Sequence, residues 1–445
     1  MRFVSALLLV LMLAITPALA ESEQDKTSDK STESTKCSYV TIPVLYMTDR
    51  AASPKGYASQ RKIEDGNTIY HVNCGTAEYS VNNSGGKLLT DSQKKLGWLP
   101  ATKSTPRIQT KVLAGSATSH AYNDFGQAIK DVAARTGSNE FFVIVHGFNT
   151  TFAQAAESAA QLAYNLEKPV IVYDWPSKGK PGQYEVDAGN NEWSQEHFDQ
   201  MIDQLTVIRE SGIKFNLLAH SMGNRLAIRS APVLRGKHTF DQIFLVDADF
   251  DAETFVHYMS RYARLTDEMK QLATTNGLQP PKIRVLFSHR DHALPLSEFL
   301  YGGYTRLGQA ADGMLTSVFN LSAFSNMVNL ANNVISCDKD GDKPDASADL
   351  MIKFECIDFT ALDYGILGHT IPYKLIGSLA ANNSPGDGLE LVDSDNGSVN
   401  KLSKFSLGLF HQKNHISSRI GHCKRVVVLN PKNQAKLASS KPVAN

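Results

Sequence analysis

Two hydrophobic rhythms divide the chain. In residues 39–46, Val40, Ile42, Val44 and Tyr46 recur at every second position, which predicts a half-buried strand. Further strand-like runs are predicted at 68–72, 77–81 and 107–113, separated by turn-rich stretches such as Asn82-Asn83-Ser84-Gly85-Gly86. They read as antiparallel strands at the edge of a larger sheet. From residue 125 the pattern changes to short apolar runs alternating with helical periodicity. Strands are predicted at 141–145, 170–173, 242–246, 283–287 and 352–357, and helices at 152–166, 195–209, near 253–265 and at 374–381. Such alternation predicts an α/β fold with a mainly parallel sheet covered by helices on both faces.

One junction in this alternation carries chemistry. The apolar run Ile213-Lys214-Phe215-Asn216-Leu217-Leu218-Ala219 delivers His220-Ser221-Met222-Gly223 into a tight turn, and a helical pattern follows through Leu226, Ala227, Ile228 and Ala231. This is the form of a nucleophile elbow, G-x-S-x-G, with Ala219 at its first position. The elbow demands small residues two before and two after the serine because strand and helix approach closely there. Alanine departs from glycine only mildly. Ligands of such sheets sit at the carboxyl ends of the strands, where Ser221 falls.

A serine hydroxyl needs a base within reach, and the base needs an orienting acid. The chain order serine, acid, histidine leaves two acids: Asp291, following the 283–287 strand, and Asp249, following the 242–246 strand. Asp291 is favoured because the acid usually lies after the later strand, with Asp249 as the alternative. A carboxylate capping the next helix is the plainer explanation of either. Downstream histidines are His292, His369, His411, His415 and His422. His369 is favoured: it lies between a predicted strand and a predicted helix, and the glycines of Tyr364-Gly365-Ile366-Leu367-Gly368-His369 let the backbone present an imidazole. Two oxyanion donors are expected, the Met222 amide after the nucleophile and the Phe148 amide in the loop Val145-His146-Gly147-Phe148-Asn149.

With these pieces in hand, the chain resembles a bacterial family of alpha/beta hydrolases, serine-esterase or lipase-like, whose members mostly lack an assigned substrate. The resemblance is carried by Pro43-Val44-Leu45-Tyr46-Met47-Thr48-Asp49-Arg50, Gly75-Thr76-Ala77-Glu78-Tyr79-Ser80-Val81, His146-Gly147-Phe148-Asn149 and Tyr173-Asp174-Trp175-Pro176-Ser177. It continues through His220-Ser221-Met222-Gly223-Asn224, Ala248-Asp249-Phe250-Asp251, Asp291-His292-Ala293-Leu294 and Gly368-His369-Thr370. It implies an alpha/beta-hydrolase fold, catalytic roles for Ser221, Asp291 and His369, and a carboxylic-ester substrate. Asp291 and His369 are 78 residues apart, an insertion that bears on substrate access.

Composition narrows the rest. The 445 residues are 42% hydrophobic and 20% charged, which indicates a globular protein, and 45 basic residues balance 45 acidic ones. That neutrality offers no electrostatic case for nucleic acid. Arg2, an apolar run over 4–15 and Ala18-Leu19-Ala20 read as a signal peptide over 1–20, with no later stretch long enough to span a bilayer. An exported protein, periplasmic or secreted, is expected. Residues 21–36 read as a disordered leader, 37–380 as the hydrolase domain with a cap insertion or packed helices over 296–350, and 381–445 as a C-terminal extension.

Export permits disulfides, and five cysteines leave at least one unpaired. A Cys337–Cys356 bridge would close a loop of about 20 residues, adding ~3 kcal/mol in the chain-entropy model. Asp338-Lys339-Asp340-Gly341-Asp342-Lys343-Pro344-Asp345 has calcium-loop carboxylates, but its glycine falls at the fourth position where an EF-hand needs the sixth. A solvated acidic loop is the simpler explanation. Asp174-Trp175 follows a strand and either lines the site or packs its corner.

The expectation is an exported serine hydrolase that cleaves small-molecule or lipid esters through an acyl-enzyme, without metal or organic cofactor. The alternatives are amide or thioester hydrolysis by the same residues, and a non-catalytic envelope or surface-binding protein on a hydrolase scaffold.

Overall fold

Strong apolar runs became the interior of one twisted sheet. A computed structural model describes residues 38–54, 56–62, 73–83, 109–114, 119–230, 238–252, 254, 255, 258, 281–308, 354–363, 368–382, 384–385, 389–393 and 423–428. The signal peptide, the leader, the strand at 68–72, most of the helix at 253–265, residues 309–350 of the cap segment, Cys337 and the acidic 338–345 segment lie outside the described residues.

The N-terminal part forms β1 (Ser38–Thr48), β2 (Arg50–Ser53), β3 (Gly56–Arg61), β4 (Asn73–Asn83) and β5 (Gln109–Ala114). Next come α1 (Ser119–Thr136), β6 (Glu140–Val145), α2 (Phe152–Leu166), β7 (Val170–Asp174), α3 (Tyr184–Trp193) and α4 (Gln195–Arg209). The second half contains β8 (Lys214–His220), α5 (Asn224–Arg229), β9 (Gln242–Val246), β10 (Lys282–Phe287) and α6 (Leu294–Leu300), then β11 (Phe354–Asp358), α7 (Tyr373–Asn382), β12 (Leu389–Asp393) and β13 (Cys423–Val428). Among the described residues, eleven strands make one sheet in the order β12-β13-β11-β10-β9-β8-β6-β7-β1-β4-β5.

From β13 to β1 every neighbouring pair is parallel. Antiparallel pairing is confined to the two edges, β12 on β13 and β1-β4-β5. The edge strands predicted at the N-terminus are therefore antiparallel to one another, while β1 also joins β7 in parallel and so connects edge to centre. Strands β12 and β13, contributed by residues beyond 380, continue the same sheet on its far side.

The two faces are built from alternate residues of the same strands, because successive strand side chains point oppositely. Phe141, Val143 and Val145 of β6 join Ile129 of α1 and Met201 and Leu205 of α4 in one core. Phe142 and Ile144 join Ala155 and Ala159 of α2 and Leu375 of α7 in the other. Burying each large apolar side chain contributes about 1.5–3 kcal/mol, so a near-continuous apolar strand such as β6 specifies a central, doubly covered position. The start of α2 is fixed by a capping box between Thr151 and Gln154, which satisfies backbone donors at the helix end. The short β2–β3 hairpin and α3 carry weak apolar periodicity; their placement comes from tertiary contacts such as Tyr57 of β3 against Phe152 of α2, ring centroids 4.8 Å apart.

Candidate active site

At the carboxyl end of β8 the chain turns sharply. Ser221 has φ +52°, a left-handed conformation that a non-glycine residue adopts only under constraint. The constraint is close packing. A Cβ at Gly223 would lie 2.6 Å from the Val145 carbonyl oxygen and would also collide with that of His146, so the position after Met222 admits only glycine. A Cβ at Gly147 would lie 2.7 Å from the Ser221 Cβ. The His146-Gly147 loop therefore presses directly on the serine. Asn224 ties the turn to β9, donating from Nδ2 to the carbonyls of Ser221 and Val246, each at 3.0 Å. Ser221 is 8% exposed, and Ala219 and Met222 are fully buried.

His369 enters from the loop before α7. Gly368 has φ +62°, and the Arg290 carbonyl occupies the place where a Cβ would stand, so this glycine is required both conformationally and sterically. That approach sets His369 Nδ1 2.7 Å from Asp291 Oδ2. The other carboxylate oxygen of Asp291 accepts from the amides of Ala293 (2.8 Å) and Leu294 (3.0 Å) at the start of α6, which fixes its orientation. Burial by itself would lower the His369 pKa, but the charge and hydrogen bond of Asp291 outweigh it and raise it above the ordinary 6.5. The His369 ring lies beside His220, the neighbour of Ser221, with centroids 4.8 Å apart.

Asp249 takes a different position. Its carboxylate binds Arg225 at 3.0 Å and Ser297 at 2.5 Å, receives the Tyr184 hydroxyl, and has Arg306 3.5 Å away. Burial would raise its pKa, yet Arg225 and Arg306 hold it below the usual carboxylate range. Its backbone amide reaches the Ser221 carbonyl at 3.2 Å, so Asp249 supports the elbow from behind while Asp291 holds the histidine. His292 is exposed on the α6 loop, and His411, His415 and His422 lie outside the described residues.

The loop carrying Phe148 rests on a buried polar network. Arg50 donates to Asp174 (2.7 Å), to the Ser177 carbonyl (2.7 Å) and to the Thr150 carbonyl (2.8 Å). Thr48 donates to Asp174 at 2.6 Å, and His146 Nε2 stands 3.0 Å from Asp174 without hydrogen-bond geometry. Burial would raise the Asp174 pKa, but Arg50 and His146 hold it low. Trp175 is fully buried, stacks on His146 with the rings 13° from parallel, and donates Nε1 to the His146 carbonyl at 2.9 Å. Asp174 and Trp175 thus underpin the loop. Asp187 of α3 accepts from the amides of Asn149 (3.2 Å) and Lys178 (2.7 Å), fastening Asn149 at φ +56°. Phe148 meets Tyr184 edge to face, centroids 5.1 Å apart, and among the described residues no acceptor takes the Phe148 amide.

Sequence reasoning missed the supporting roles of Arg50, Asp187 and Asp247. Arg50 stood within a matching segment, but its side-chain contacts lie 100 to 127 residues away along the chain. Asp247 directly follows β9, with φ +43° and no solvent exposure. Burial and the nearby charges of Asp291 and Asp363 raise its pKa well above the ordinary range. Asp247, His220 and His369 each offer one ligand-capable atom, all within 4.8 Å of one another. No helix among the described residues is long and apolar enough to cross a membrane.

Residues 123–333 match the model of a family described as alpha/beta hydrolase of unknown function (DUF900). No curated protein matches the chain. Sheet order, elbow and the match over residues 123–333 together show an alpha/beta-hydrolase fold, similar over that span to a family of alpha/beta hydrolases of unknown function.

Proposed function

We propose that this alpha/beta hydrolase is a serine hydrolase acting on carboxylic esters. The observation that carries the reading is the 2.7 Å contact between His369 Nδ1 and Asp291 Oδ2 beside a serine held at φ +52°. With Nδ1 committed to the carboxylate, the imidazole has Nε2 free to accept the Ser221 proton as the hydroxyl attacks the acyl carbon. Asp291 holds the tautomer and balances the imidazolium. The Met222 and Phe148 amides serve as oxyanion donors, consistent with Gly147 packing against Ser221. Protonated His369 returns its proton to the leaving alcohol, and water, deprotonated by the same imidazole, releases the acid.

Small-molecule or lipid esters are the proposed substrates. The proposed location is outside the cytoplasm: the signal-like N-terminus is joined by a disulfide at Cys356, a bond that persists in oxidising compartments. In the sheet, Cys356 of β11 stands in register with Cys423 of β13.

The test is labelling with a fluorophosphonate followed by mass-spectrometric mapping, together with hydrolysis of p-nitrophenyl acetate and butyrate. Label on Ser221 and loss of both activities in Ser221→Ala are expected. Full turnover by that variant, or label on another residue, overturns the assignment.

A further inference from the structure

Two buried groups beside the proposed triad have no part in it. The carboxylate of Asp247 is fully buried, and neither oxygen has a hydrogen bond of good geometry, although the amides of Ser288 and Thr370 approach it. Nε2 of His220 is also buried without a hydrogen bond of good geometry, although the His369 backbone approaches this imidazole. Strands β8 and β9 pair so that His220 lies opposite Val246, which brings His220 and Asp247 together at the carboxyl end of two central strands. The left-handed backbone of Asp247 adds strain that the surrounding structure must maintain. Unpaired buried polar atoms are costly, and a cluster of them facing one point calls for a ligand.

We propose that His220, Asp247 and His369 form a binding site for a zinc-type divalent cation that inhibits the enzyme. One donor atom from each residue lies within 4.8 Å of the other two. Two imidazoles and a carboxylate are a zinc donor set, three protein ligands that leave a fourth position for water. Calcium and magnesium prefer shells of oxygen and fit it poorly. Bonds of about 2.0–2.1 Å place tetrahedral ligands roughly 3.3 Å apart, so binding draws the three side chains together by up to about 1.5 Å. His220 suits the role because burial, with His369 and His146 alongside, keeps its imidazole neutral. Asp291 on Nδ1 of His369 would complete a carboxylate–histidine–metal arrangement, orienting the ring for the cation as it does for the serine.

The inhibitory consequence rests on the proposed serine mechanism, whereas the binding site does not. A cation on the free nitrogen of His369 occupies the lone pair that would accept the Ser221 proton. The same imidazole then serves as either base or ligand, and zinc would silence turnover until a chelator removes it.

Untagged full-length protein, stripped with EDTA, is titrated calorimetrically with zinc and separately with magnesium. One zinc per chain is expected for wild type and for Ser221→Ala, with magnesium silent. His220→Asn and Asp247→Asn, both close in shape to the native residues, should weaken zinc binding roughly 10- to 100-fold or more. Circular dichroism checks that each variant is folded. Equal zinc affinity in wild type and the His220→Asn/Asp247→Asn double variant overturns the site. In the second arm, zinc should inhibit p-nitrophenyl ester hydrolysis by wild type reversibly on adding EDTA, each variant being compared with its own metal-free rate. Binding without inhibition overturns the regulatory role. If the metal-free wild type hydrolyses no ester, the serine mechanism fails while calorimetry still decides the site.

Discussion

Gly147→Ala tests the closeness of the His146-Gly147 loop to Ser221, the proposed nucleophile. The new methyl would stand 2.7 Å from the Ser221 Cβ and 3.3 Å from both Nδ1 and the carbonyl oxygen of His220. Carbon atoms pack comfortably at about 3.5–4.0 Å, so the loop or the serine must retreat by roughly 1 Å. Gly147 has no positive φ, so the perturbation is steric and not conformational. In the proposed mechanism a displacement of this size withdraws the Phe148 amide from the developing oxyanion. Loss of one such donor costs about 10²- to 10³-fold in kcat, or about 2.7–4 kcal/mol. The global cost should be the ~1–3 kcal/mol of an overpacked core site. Steady-state hydrolysis of p-nitrophenyl acetate, with thermal unfolding alongside, separates the two. A folded variant whose kcat stays within about threefold of wild type, under 1 kcal/mol in the barrier, would refute the oxyanion role of this loop.

Other consequences follow from the same geometry. Asp291→Asn leaves the shape of the site but loses the acceptor that fixes the His369 tautomer, so kcat should fall about 10⁴-fold, measured with the same ester. The proposed base, His369, must be neutral, and Asp291 raises its pKa; the rising limb of kcat/KM against pH should therefore lie above 6.5. In residual Asp291→Asn activity that limb should move down, since burial then acts without the opposing charge; an unmoved limb would dissociate it from His369. Arg50→Met removes the arginine paired with the fully buried Asp174 carboxylate, leaving it Thr48 and His146, and should cost about 3–5 kcal/mol in urea unfolding. A loss below about 1 kcal/mol would mean that Asp174 is neutral in the folded protein.

What could be read without coordinates was local. The helices at 152–166 and 195–209 and the strand at 242–246 match their predicted spans residue for residue, because dense apolar periodicity there leaves one way to bury the chain. The elbow was legible because close strand-helix packing leaves its mark as small residues at fixed offsets from Ser221. Asp291 and Asp249 were not separable by motif alone. Each follows a parallel strand, and only the tertiary arrangement sets one against His369 and the other between Arg225 and Arg306.

The hairpin β2–β3, α3 and the role of Arg50 escaped for the same reason: their stabilising partners are distant in sequence, such as Asp174, 124 residues from Arg50. The sequence by itself therefore determined the alternating sheet, the turn that bears the serine and a short set of partners for it. Tertiary structure alone decided which carboxylate faces the imidazole, what braces the Phe148 loop, and that Asp247 and His220 converge with His369. Periodicity records which way a side chain points, whereas these outcomes depend on which strands become neighbours and on the cost of leaving a buried charge unpaired.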